Sequence, residues 1–170
     1  MSRRKKARTL IWTALGVQLA GLLIDIAWHA VHSGFEATTT EQMLVHLGTV
    51  HIPIYVGVVC VLLTTGWALI DQARRPPIGA AFPVAFVGAV ISFLGEAWHA
   101  YHHLRLDTHG GPLAAAISFF GFLIVVVAMW VSGRRDRRRP SRAAICSAHH
   151  LTCPGVSEGS TVRYDGRVGR

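Results

Sequence analysis

Four long apolar runs constrain this chain more than any other feature. They cover about residues 10–31, 44–70, 78–101 and 112–132. Asp25 interrupts the first and Glu96 the third, and Pro53 lies early in the second. A helix needs about 20 mostly apolar residues to cross the hydrocarbon core, so each run is long enough to cross by itself. The strands of a transmembrane barrel would be shorter and would alternate, which excludes that class. The expected fold is therefore all-α: a polytopic membrane protein whose transmembrane domain, residues 10–132, is a bundle of four helices.

Composition agrees. Of the 170 residues 51% are hydrophobic and only 15% charged, against about a quarter charged in a soluble domain. The net charge of +8 does not point to nucleic acid, because between Thr9 and Ser132 the only basic residues are Arg74, Arg75 and Arg105. The others lie in the segments 1–9 and 133–170. The loop 33–43 has no Lys or Arg, and the loop 104–111 has one. By the positive-inside rule both termini are cytoplasmic, as expected for a multi-pass protein of a bacterial inner (plasma) membrane. The first run is too long for a signal peptide and ends in no A-x-A site, so it reads as an uncleaved span.

Small residues spaced one turn apart let helix backbones approach in lipid; Gly16 with Ala20, Gly88 with Ser92, and Ala114 with Ser118 and Gly121 are candidates. The segment 133–170 is polar and rich in Arg, Ser and Gly, with no periodic apolar face. It reads as a disordered basic tail drawn to anionic lipid headgroups. Its run from Cys146 to Cys153, with His149 and His150, packs four ligands too closely to surround one ion easily, and it reads as reduced thiols.

Histidine is the unusual residue. Eight of the ten fall in or beside one end of the spans: His29, His32, His46, His51, His99, His102, His103 and His109. An ionisable group within a span costs about 2.5–3.5 kcal/mol on insertion scales and is as a rule paired or functional. On an ideal helix Asp25, His29 and His32 share a face about 60° wide, as do Glu96, His99 and His103. Asp25, His51 and Glu96 also lie at matching depth, roughly 23–28 Å above the opposite ends of their spans. His46 and His51 are about 140° apart on an ideal helix, so both face the bundle only if a kink at Pro53, or a late start of the helix, rotates one of them. His29, His51, His99 and His103 are thus the expected metal ligands, with Asp25 and Glu96 as ligands, orienting groups or proton acceptors. His32, His46, His102 and His109 are secondary, since histidines at helix ends commonly just hydrogen-bond at the interface.

A short repeat adds to this. Trp28-His29-Ala30-Val31-His32 aligns with Trp98-His99-Ala100-Tyr101-His102, each copy preceded by a carboxylate on the same face. Both copies run outward, as in a parallel repeat of two helices about an axis along the membrane normal. Imidazoles with carboxylates and without a thiolate cluster suit a divalent transition metal: zinc, copper or iron. A b-type haem between His29 and His99 is the competing cofactor.

Two resemblances bear on the same residues. Asp25-Ile-Ala-Trp-His29-Ala-Val-His32, followed by His51-Ile-Pro-Ile-Tyr55-Val-Gly57, resembles a set of uncharacterised bacterial multi-span membrane proteins over about residues 20–60. Their pattern places proline before the second-helix histidine, whereas Pro53 follows it here. That resemblance implies a metal site with no assigned reaction. His29-Ala-Val-His32 and His99-Ala-Tyr-His102-His103 are similar to the histidine boxes of membrane fatty-acid desaturases and hydroxylases. This chain is much shorter, has one full box, and is expected to place it on the non-cytoplasmic side. The function expected is metal binding near the extracytoplasmic surface. The alternatives are a metal-dependent membrane oxidoreductase or hydrolase, a haem electron carrier, and a structural or partner-binding bundle.

Overall fold

The computed structural model describes residues 3–33, 35, 37–74, 79–106 and 111–138, with the side chains of 135–138 excepted. The described chain is helical and has no strand. Helix α1 is Arg3–Val31, α2 is Thr40–His46, α3 is Ile52–Ala73, α4 is Ala81–Leu104 and α5 is Gly111–Arg138. A single π-helical stretch, Leu47–His51, joins α2 to α3, so that Thr40–Ala73 runs as one span. Four helices are long and apolar enough to cross a membrane. The helices outrun the apolar stretches: α1 begins at Arg3, within the basic segment, and α5 continues to Arg138. Of the segment 133–170 expected to be a disordered tail, 133–138 is the end of α5, and the rest, with Cys146 and Cys153, lies outside the described residues, as does His109.

The start of α2 is capped. The Thr39 hydroxyl accepts from the Gln42 amide at 3.2 Å, and the Gln42 side chain accepts from the Thr38 amide at 3.0 Å. This is a close relative of the capping box, in which two otherwise unpaired amides are satisfied reciprocally.

Without water to drive apolar faces together, helices in lipid associate through close backbone packing. Two crossings do this. At the first, Gly21 of α1 lies on the backbone of Pro53 and Ile54, and Gly57 of α3 lies on the backbone of Gln18. At the second, between α4 and α5, Gly95 meets Ser118 and Gly121 meets Ser92. A Cβ at any of these glycines would fall closer than 3.0 Å to neighbouring backbone. The expected role of Gly16 is not met: nothing lies within 4 Å of the direction its Cβ would take, because Gly21 carries the α1 crossing instead.

The interior divides lengthwise. Toward the arginine-bearing end it is apolar, built on Ile11, Leu15, Val61, Ala85, Val125 and Met129. Thr65 is buried there with its hydroxyl turned back to the Val61 carbonyl at 2.7 Å. Toward the other end the buried side chains include Gln18, Ser92, Ser118, Glu96, His46 and His51. Gln18 donates to Ser92 at 3.0 Å, and Ser92 lies 3.4 Å from Ser118. Large apolar side chains such as Leu63, Val87 and Phe120 point outward, where lipid would cover them.

Gly57→Ala is expected to lower stability by about 1–3 kcal/mol through overpacking, whereas Gly16→Ala gains up to about 1 kcal/mol from helix propensity. Thermal unfolding of the detergent-solubilised protein, followed by circular dichroism, separates the two.

Candidate metal centre

Pro53 shapes the centre before any ligand is considered. It lacks the amide that would bond to the Thr49 carbonyl, and its ring crowds that carbonyl, so a regular α-helix cannot pass through 49–53. The chain widens into the π turn of 47–51, and the Thr49 hydroxyl bonds to the Val45 carbonyl at 2.8 Å. Pro53 itself then sits in the first turn of α3, where no amide is needed. In an i→i+5 turn, residues five apart stack on one face, and His46 and His51 are five apart. Their rings lie 4.8 Å apart, and both are buried. Such single π turns often mark functional positions.

Around His51, which is 1% exposed, three helices converge. From α1, Asp25 places Oδ1 3.3 Å from His51 Nε2 and 3.5 Å from His29 Nε2. From α4, the His99 ring lies 5.9 Å from that of His51, and the His103 ring 5.1 Å. His99 and His103 bring their Nε2 atoms to 2.9 Å from each other. On its far side His99 Nδ1 is 3.1 Å from the Gly111 carbonyl at the start of α5. A carbonyl can only accept, so Nδ1 carries the proton and Nε2 keeps its lone pair. Metal-ligating histidines are characteristically fixed this way through their second nitrogen.

Two groups of three histidines result, each with ligand atoms within 4.8 Å of one another: His29, His46 and His51, and His51, His99 and His103. The chemistry of the buried atoms fits a metal ion. Both nitrogens of His46, both of His51, and Asp25 Oδ1 are buried without a hydrogen bond. The separations of Asp25 Oδ1 from the two Nε2 atoms exceed the usual hydrogen-bond range of about 2.7–3.2 Å. Ligands about 2.0–2.1 Å from a tetrahedral ion lie about 3.4 Å apart, close to the separations of Asp25 Oδ1 from His51 and His29.

The remaining candidates lie elsewhere. His32 is stacked on Trp28 and its Nδ1 meets the Trp28 carbonyl at 3.0 Å, away from the cluster. His102 packs beside Trp98 and Tyr101 and belongs to neither group of three. So the second histidine of each W-H-A-x-H copy is left out, and His103 takes part in place of His102. The two copies nonetheless arrive at one end of the bundle beside His51, with His29 at 6.1 Å and His99 at 5.9 Å between ring centroids. Glu96 is buried one turn from His99, within hydrogen-bonding reach of Ser118. It lines a cavity of about 60 Å³ with Asp25, His99 and Gln18, large enough to admit water.

Three features were not apparent from the sequence. Trp28 lies against His46 with ring centroids 4.4 Å apart, covering that side of the cluster. Tyr55 stands 5.9 Å from His51, ring to ring, with its hydroxyl buried and without a hydrogen bond. The Gly111 carbonyl is a backbone atom, which no residue pattern announces. No protein-family model, curated protein or solved structure matches the chain.

Asp25→Asn is expected to weaken metal binding by about 10–100-fold, the range found when a group supporting a metal ligand is lost. His32→Ala leaves binding unchanged. Competitive titration of both variants with a chromogenic zinc chelator measures the difference.

Proposed function

We propose that this integral membrane protein binds a divalent transition metal through His29, His46, His51, His99 and His103, with Asp25 as ligand or orienting group. Glu96 serves as a second intramembrane counter-charge. One observation carries the reading: His51 is 1% exposed, has no hydrogen bond at either nitrogen, and is surrounded by four other imidazoles. A buried polar group without a partner is costly, and a metal ion would satisfy several such groups at once. The basic-residue distribution supports a topology with both termini cytoplasmic and the metal centre in the extracytoplasmic half of the bilayer. The imidazole–carboxylate donor set supports zinc, copper or iron. A haem takes two axial ligands and calls for neither this many imidazoles nor the carboxylates beside them.

A second reading has its own observation. An apolar groove of about 180 Å³, lined by Tyr55, Val58, Val59, Phe93, Ala97 and Ala100, ends at Glu96. A metal-dependent oxidoreductase or hydrolase acting on a membrane-soluble substrate would use such a lateral entrance, with an open coordination position facing it.

Elemental analysis and an absorption spectrum of the purified protein test the first reading. The expected result is bound zinc, copper or iron in the wild type, loss of that metal in His51→Ala, and no Soret band. Absence of metal after incubation with each of the three ions would overturn it. Groove substitution Ala97→Leu is expected to leave metal content unchanged, and under the enzyme reading it abolishes turnover of any membrane-soluble substrate.

A further inference from the structure

The two histidine groups are not independent, because His51 belongs to both. A neutral imidazole has one free lone pair, since its other nitrogen carries the proton. His51 therefore serves one group at a time unless it is stripped to imidazolate. Charge argues the same way. Asp25 and Glu96 are the carboxylates within the spans near the cluster among the described residues, and together they balance one divalent ion. Two such ions would leave an excess of positive charge in a medium of low dielectric, which is strongly disfavoured.

The groups also differ in access and rigidity. The first has an accessible member, since the His29 side chain is 44% exposed and is held by Asp25 on its own helix. The second contains His99, aligned by the Gly111 carbonyl with Nε2 toward His103, and both of these rings are partly buried. His29 is the one exposed member of either group, and so the first that an ion arriving from outside the bundle would meet.

We propose that the cluster is a two-seat path for a single metal ion, with His51 passing it from the His29–His46 seat to the His99–His103 seat. This rests on the metal-binding reading above. The step is a ligand exchange: coordinate bonds to His29 and His46 break as bonds to His99 and His103 form. His51 stays bound throughout. No electron is transferred and the ion keeps its oxidation state. Asp25, 3.3 Å from His51 and lining the same cavity as His99, accompanies the ion between the seats.

The test uses the full-length protein in detergent, titrated with Zn(II) for stoichiometry and Co(II) for its absorption spectrum. Variants are His29→Ala/His46→Ala, His99→Ala/His103→Ala and His51→Ala. The expected result is one ion per chain in the wild type and in each double variant, and none in His51→Ala. The Co(II) spectrum of His29→Ala/His46→Ala matches the wild type, but its loading is slower. That of His99→Ala/His103→Ala is shifted, and its ion is lost faster to a chelator. His29→Gln and His103→Gln, which retain side-chain bulk, replace any double variant that does not fold. Two ions in the wild type, identical spectra for the two seats, or loading at wild-type rate without His29 and His46 would overturn the path. No ion in the wild type would instead overturn the metal reading itself.

Discussion

The backbone contact between α1 and α3 is the constraint on which the centre depends. Gly21 lies on Pro53 and Ile54, and Gly57 on Gln18, at a separation that admits no Cβ. Asp25 is one helical turn beyond Gly21, and His51 is about one turn before Ile54 on the antiparallel neighbour. Close approach of the backbones therefore delivers a carboxylate to an imidazole at 3.3 Å. A wider crossing would separate them by the thickness of a side chain and leave each with its own desolvation cost. The glycines and the candidate ligands are one device in two parts: the first sets the distance, the second uses it.

Pro53 contributes to both parts. Its backbone is what Gly21 packs against, and its missing amide opens the π turn that turns His46 onto the His51 face. A proline inside a membrane helix is tolerated when neighbouring groups satisfy the carbonyls it frees. Here the Thr49 hydroxyl, bonding back to Val45 and His46, supports the displaced turn. The same residue that distorts the helix thus locates the cluster along the span.

Much of this was legible in the sequence, and the gaps have identifiable causes. Four spans follow from hydropathy alone because lipid leaves few alternatives to a helix. The shared face of Asp25 with His29, and of Glu96 with His99 and His103, follows from the regular 100° step, which holds in α1 and α4. That step fails at the π turn, so His46 stands with the central residues instead of turning away. Among the small residues, Gly16 and Gly21 look alike in sequence, and only the path of α3 selects the second. The W-H-A-x-H repeat points to the right ends of the right helices but overstates the likeness of its copies. Trp28 holds His32 aside, and on α4 the residue on the inner face is His103.

The division of the interior gives the centre its setting. The buried polar chain Gln18–Ser92–Ser118 descends from the carboxylates and stops where Leu15, Ala89 and Phe122 close the apolar half. Among the described residues no buried polar group bridges that half. Thr65 is satisfied by its own helix, and Gln72 bonds to the Gly79 carbonyl at 3.0 Å near the arginine-bearing end. Among the described residues, the buried polar groups beside His51 thus continue toward one end of the bundle. A channel or pump would need polar groups through both halves, with ionisable residues along the route. Among the described residues, the histidines and carboxylates of the cluster gather toward one end. Such a placement suits the proposed site, which would take up, hold or chemically use a metal from that side. In such a site rigidity behind the ligands matters more than a way through, and the apolar half provides that rigidity.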